Sequence, residues 1–178
     1  MLKMFSTQLT GLLGRIYSKQ EENFEDAARL LAQAAAGQGK IYIYGAEEMA
    51  SVGLEAIKGA EPLKRAAIWE PSSPPALTPA DRAIIVSRFS SDPDLVKVAG
   101  ILHQEGVPYV SICTKEEEKD STLTDLADVH IDLFLKKGLL PDETGGRYGY
   151  PAPIAALYVY YALKFTIDEM LAEYEELL

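Results

Sequence analysis

The chain has 178 residues, 48% of them hydrophobic and 25% charged, a balance that buries a core of ordinary size and fits one domain better than two. Seventeen Lys and Arg stand against 27 Asp and Glu, a formal charge of -10, which is the wrong sign for a protein that grips nucleic-acid phosphates. Cys113 is the single cysteine, so an internal disulfide and a multi-cysteine zinc cluster are excluded, and with only His103 and His130 a histidine-rich metal site is excluded too. No metal and no cofactor are expected.

Leu2, Phe5, Leu9, Leu12, Leu13 and Ile16 recur at steps of three and four, and Phe24, Ala27, Ala28, Leu31 and Ala35 resume the pattern. This spacing gives two helices, or one long bent one, within residues 1–37. The segment lacks the apolar run and small-residue cleavage site of a signal peptide and is expected to belong to the mature fold. Gly37 and Gly39 end the pattern, and KIYIYGAEE follows as a β-branched and aromatic run closed by Gly45, a buried strand running into a turn. A helix is expected from near Glu47. RAAIWE is a second strand, and EPSSPPALTPAD holds too many prolines for a helix or a central strand, so it is expected as a surface loop.

From Asp81 the pattern sharpens into a βαβ unit: RAIIVS is a strand, DPDLVKVAGILHQEG a helix with Pro93 in its first turn and Gly106 as its stop, and VPYVSIC another strand. Beyond the acidic-basic loop KEEEKD, STLTDLAD predicts a short helix and VHIDLFL a fifth strand. Residues 138–151 form a glycine-rich loop, and a long helix fills 151–178. The apolar run PAPIAALYVYYAL is well short of the ~20 residues a membrane span needs, so a soluble, cytoplasmic protein with no membrane partner is expected. Strands alternating with helices predict the α/β class: a single-domain, three-layer αβα sandwich on a five-stranded parallel sheet, with its core at residues 40–135 and extra N-terminal and C-terminal helices. In such a sheet ligands bind beyond the carboxyl ends of the strands, at the switch in strand order, which points to Gly45 to Met49, Glu70, Pro71, Ser87 to Asp92, Cys113 and Thr114.

In this order, these positions resemble the sugar isomerase (SIS) superfamily of phosphosugar-binding domains. The resemblance runs from roughly Lys40 to Leu135 and is most specific in DRAIIVSRFSSDPDLVKVAGILHQEGVPYVSICT followed by STLTDLADVHIDL. It implies a flavodoxin-like strand order and a sugar phosphate held by a Ser-x-Ser-Gly-x-Thr type loop, with a Thr ending the next strand and an Ala-Asp before the last. The layout is most similar to the phosphoheptose isomerase branch and, more narrowly, to an uncharacterised SIS-like family of Gram-positive bacteria. Gly45, Ser87, Arg88, Ser90, Ser91 and Thr114 are the ligand contacts this suggests. The chain also departs from the family. Phe89 replaces the second Ser of the phosphate loop, Ser90 the Gly and Asp92 the Thr. The first loop, a Gly-Asn-Gly-Gly-Ser type turn in phosphoheptose isomerases, is here Gly45, Ala46, Glu47, Glu48 and Met49.

Asp92 before Pro93 is a strong helix N-cap arrangement, worth about 0.5–2 kcal/mol without any ligand. The same carboxylate opposes a phosphate, because two unit charges 4 Å apart repel by roughly 4 kcal/mol at an effective dielectric of 20. Arg88 would offset that repulsion if it turned inward. Glu47 and Glu48 suit a helix start, where the dipole favours acids, and are also the candidate general bases for moving a proton between sugar carbons, a role that needs a burial-raised pKa. The C-terminal helix has no histidine to serve as partner acid, offering Tyr158, Tyr160, Tyr161 and Lys164. His103 is expected at a helix end facing solvent, His130 as a hydrogen-bonded structural residue, and Cys113 as a small buried apolar side chain.

The loop GLLPDETGGRYGYPAP either closes over a ligand or connects elements at a neighbouring subunit, and Arg147 within it is the best candidate for an anion contact. The C-terminal helix is apolar nearly all round, which predicts burial on two sides and a homodimer or higher homo-oligomer. The function expected is binding of a small phosphorylated sugar or related anionic metabolite. The alternatives are a phosphoheptose-type aldose-ketose isomerase and a non-catalytic oligomeric scaffold with a vestigial cleft.

Overall fold

Five strands, β1 (Ile41–Gly45), β2 (Ala66–Ile68), β3 (Arg82–Phe89), β4 (Tyr109–Thr114) and β5 (Val129–Asp132), pair in parallel in the order β2-β1-β3-β4-β5. The structure, a computed structural model, describes residues 1–116 and 122–176. Residues 117–120 of the acidic-basic loop, Ser121 and the last two residues of the chain lie outside the described residues. The strand order is flavodoxin-like, and its direction reverses between β1 and β3, so their carboxyl ends flank the switch point.

Each central strand buries both faces, which is why these runs are apolar throughout instead of alternating. Ile84 and Val86 of β3 join the core that also holds Phe24, Leu31, Val159 and Leu163, whereas Ala83 and Ile85 join a second core with Leu95, Val98 and Leu102. The first core belongs to α1 (Leu2–Ser18), α2 (Glu21–Ala36), α3 (Ser51–Lys58) and the long α6 (Ala152–Glu176); the second belongs to α4 (Pro93–Gln104). These are the three layers expected. Between α2 and α6 the fully buried residues are mostly small, Ala27, Ala28, Ala34, Ala155 and Ala156 among them, which lets the two helices pack closely.

The N-terminal helical pattern resolves into two helices, and Gln20 shows why. Its side-chain amide donates to the Ile16 and Asp132 carbonyls at 3.0 and 2.8 Å, and its side-chain oxygen accepts from the Asp132 N–H at 2.7 Å. The chain therefore breaks where α1 hands over to the end of β5. A single 3-10 turn, Glu47–Ala50, precedes α3. The fifth strand is shorter than VHIDLFL because Phe134 takes a φ of 51°, which ends extended structure. α5 (Thr122–Leu126) is the short helix before it. The glycine-rich loop is partly ordered as a two-stranded antiparallel hairpin, β6 (Leu140–Pro141) with β7 (Arg147–Tyr148). Among the described residues, no helix is long and apolar enough to cross a membrane.

Candidate functional site at the strand carboxyl ends

Gly45 closes β1 so tightly that a Cβ there would lie 2.2 Å from the Met49 carbonyl oxygen, so only glycine fits. The next turn places Glu47 at a φ of 49°, an uncommon conformation for a side chain of this size, and leaves Glu47 and Glu48 exposed on the rim. Across the switch point β3 is irregular between Val86 and Phe89. There Arg88 turns out of the sheet onto both carboxylates, with Nη2 on Glu47 and Nε 3.0 Å from Glu48 Oε1. All three side chains are 40–69% exposed, and ion pairs in such settings are worth about 0–1 kcal/mol.

The hydroxyls of the serine loop have protein partners. Ser87 is fully buried and donates to the Phe89 carbonyl at 2.6 Å. Ser90 is also fully buried, its Oγ accepting from the Glu116 N–H at 3.1 Å. Ser91 donates to the Glu116 carboxylate. Asp92 caps α4 as expected, accepting from the Asp94 and Leu95 N–H groups at 3.0 and 3.3 Å. Thr114 at the end of β4 is buried and accepts from the Leu135 N–H at 3.1 Å. Tyr150 reaches in from the segment before α6, its ring 6.1 Å from that of Phe89 and its hydroxyl donating to the Leu135 carbonyl. Burial pushes the Tyr150 phenol up to about 12. Next in the chain to the arginine-carboxylate turn, an apolar pocket of about 200 Å³ opens at the ends of β1 and β2, lined by Tyr44, Gly45, Leu54, Trp69, Glu70 and Pro71 among others.

The structure thus brings Gly45, Glu47, Glu48, Ser87, Arg88, Ser90, Ser91 and Thr114 to one rim, as the order of strands demands. Arg147 is elsewhere. Its Nε donates to the Gly138 carbonyl at 2.7 Å and its Nη2 to that of Leu139 at 2.6 Å, bracing the hairpin beyond β5. Glu116 was not singled out in the sequence and no local motif marks it, whereas Tyr150 lies in the glycine-rich loop expected either to close over a ligand or to connect elements. They reach the rim through long-range contacts.

The remaining candidates have structural surroundings. Burial pushes the Cys113 thiol far up, the opposite of activation. His103 is exposed in the last turn of α4. His130 Nδ1 lies 2.8 Å from Ser111 Oγ, and burial lowers its pKa. Among the described residues, no group of three or more His, Cys, Asp or Glu is placed to hold a metal.

This parallel sheet with its long closing helix is a fold shared with solved sugar isomerase (SIS) domain structures. The chain superposes on the Vibrio vulnificus NanR protein complexed with ManNAc-6P with a TM-score of 0.69, at 17% identity over 98% of this chain and 64% of that one. It superposes on the sugar isomerase domain of an RpiR transcription factor from Sphaerobacter thermophilus with a TM-score of 0.64, at 17% identity over 97% of this chain and 91% of that one. At such identities the likeness is one of fold. Residues 1–171 match the family described as "Domain of unknown function (DUF2529)", and the chain belongs to that family. It is 42% identical to the Bacillus subtilis (strain 168) "Uncharacterized protein YwjG" over 98% of this chain and 99% of that one.

Proposed function

We propose that this protein is an SIS-like, homo-oligomeric cytoplasmic protein that binds a phosphosugar, or a related small anionic metabolite, at the carboxyl ends of β1, β3 and β4, with the whole chain acting as one unit. The observation that supports this reading is the placement of Arg88. Its guanidinium stands at the switch point, held by two largely exposed carboxylates whose attraction is weak in water. A phosphate oxygen pair is a geometrically better bidentate partner and displaces them at small cost. The apolar pocket at the ends of β1 and β2, with Tyr44 and Trp69 in its wall, suits the carbon face of a sugar. The NanR structure, of similar fold, holds a sugar phosphate by its own description.

A second reading, a non-catalytic scaffold with a vestigial cleft, is favoured by one feature: Ser87, Ser90 and Thr114 already have protein partners and Asp92 fills the cap position. The phosphoheptose-type isomerase reading would need Glu47 or Glu48 as base, and both are exposed and engaged with Arg88.

The test is thermal shift and calorimetry with N-acetylmannosamine 6-phosphate, fructose 6-phosphate and sedoheptulose 7-phosphate, on wild type and Arg88→Gln. A ligand that prefers the folded state raises the melting temperature, and loss of the guanidinium is expected to weaken that ligand at least tenfold. If none of the three binds, the scaffold reading stands. Turnover of any of them that Glu48→Gln abolishes with the fold intact would establish the isomerase.

A further inference from the structure

Beyond β5, at the side of the sheet farthest from β2, a pocket of about 270 Å³ opens between α1 and the segment that leads from β5 into the hairpin. Four of the side chains lining it are cations: Arg15 from α1, Lys136 and Lys137 from the segment, and Arg147 from β7. Gln8 and Phe134 are among the others, and among the described residues that line the pocket none is acidic. That is an unusual concentration in a molecule of formal charge -10 with 17 Lys and Arg in all.

The two arginines are held in place by carbonyl groups, and among the described residues neither is paired with a carboxylate. Arg15 donates through Nη2 to the Phe134 carbonyl at 3.3 Å, and its guanidinium carbon lies 5.8 Å from the centre of the Phe134 ring. Arg147 donates through Nε and Nη2 to the Gly138 and Leu139 carbonyls. Carbonyl oxygens orient a guanidinium but carry no net charge, and each arginine has five N–H donors, so further donors remain. Arg88 differs, because it faces two carboxylates. Phe134 sits at a φ of 51°, its N–H bonded to Asp132 Oδ1 at 2.8 Å. Bulky residues in this region of backbone space are strained, and such strain gathers where ligands are held.

Even without Lys136, the like charges of Arg15, Lys137 and Arg147 gathered in a concavity repel one another, and an anion between them turns that repulsion into attraction. The pocket is smaller than the ~300–1,000 Å³ of most drug-sized sites, which selects a small ligand. The acidic remainder of the surface repels a long polyanion. We propose that this pocket is an anion site separate from the strand-end cleft, and that it takes a small phosphate compound carrying two or more negative charges, a phosphate monoester or a pyrophosphate.

The experiment is titration calorimetry and amide chemical-shift mapping at low salt, with inorganic phosphate and pyrophosphate as probes. Wild type is compared with Arg15→Gln/Lys137→Gln and with Arg88→Gln. Pyrophosphate is expected to bind wild type more tightly than phosphate, to lose at least tenfold in the double variant, and to bind Arg88→Gln unchanged. Lys137→Gln alone, a change at an exposed side chain, is expected to cost several-fold and covers the case in which the double variant fails to fold. The proposal is overturned if neither probe binds wild type at millimolar concentration, or if the pocket variants bind as wild type does. It is equally overturned if only Arg88→Gln loses the anion, a result that would place phosphate in the cleft and leave the cleft reading standing.

Discussion

Asp92 accepts from two N–H groups of the first turn of α4, so its carboxylate occupies the seat that a phosphate takes at a helix N-terminus. Asp92→Ala is expected to destabilise the protein by about 0.5–2 kcal/mol, measured as a shift in the denaturation midpoint. Asp92→Thr keeps a capping oxygen and removes the charge, so it is expected to be close to neutral for stability and to strengthen sugar-phosphate binding by calorimetry; unchanged affinity would separate this seat from the anion's path. His130 belongs to the same scale. Burial lowers its pKa below the ordinary 6.5, with Asp132 opposing and Lys115 adding to the shift. Below pH 6.5 the unfolded chain takes up a proton there that the folded one resists. The stability from this residue is therefore complete above that pH and is lost as pH falls toward the folded-state value. Comparing denaturation midpoints of wild type and His130→Asn between pH 7 and about 5 is expected to show a smaller acid loss in the variant.

Among the elements, α6 is the one whose composition misleads most. Its apolar residues fall all round, but the structure buries one side, with Ala155, Ala156, Val159 and Leu163 inside, and leaves Phe165 exposed. Tyr161 is not wholly spare for a partner, because its hydroxyl donates to Glu55 Oε1 at 2.6 Å within the same chain. On the buried side the small residues set the approach of α2. Ala156→Leu is expected to overpack this contact and cost about 1–3 kcal/mol, visible as a melting temperature lower by several degrees at about 2–4 °C per kcal/mol for a chain of this size. No change in melting temperature would mean the layer is looser than its buried alanines indicate.

At the scale of the whole molecule, Tyr17, Tyr158, Tyr161, Phe165 and Thr166 line an open groove of about 410 Å³ between α1 and α6, on the face away from the sheet. A homo-oligomer formed across this face is the arrangement we propose for the chain. Phe165, at 55% exposure, is its most exposed aromatic by residue surface. Phe165→Glu is expected to leave the fold intact by circular dichroism and to halve the mass or more by light scattering at micromolar concentration. A wild type that is already monomeric there would remove the oligomer from the proposal. Charge is also organised at this scale, since an acidic chain keeps a cationic pocket at one end of its sheet.

The α/β class, the five strands, the cap at Asp92 and the position of the rim were all legible in the sequence, because each depends on local order: apolar runs, a Pro after an Asp, glycines that end elements. Gly45 is the clearest case, since a run of strand residues closed by glycine predicts the turn that the Met49 carbonyl then requires. What the rim's side chains do was decided elsewhere. Arg88 was expected as a ligand contact that offsets Asp92 if it turned inward, yet it faces Glu47 and Glu48, which lie 41 and 40 residues away in the turn after another strand. Arg147 was expected to contact an anion from a loop whose place in the fold was open, and the hairpin carries it past β5 to Arg15, which is on the first helix. Pairings of this kind join residues distant in the chain and leave no periodic trace, so only the packing of the tertiary structure selects them. The sequence determined which residues reach the carboxyl edge of the sheet; the fold decided which charges meet there.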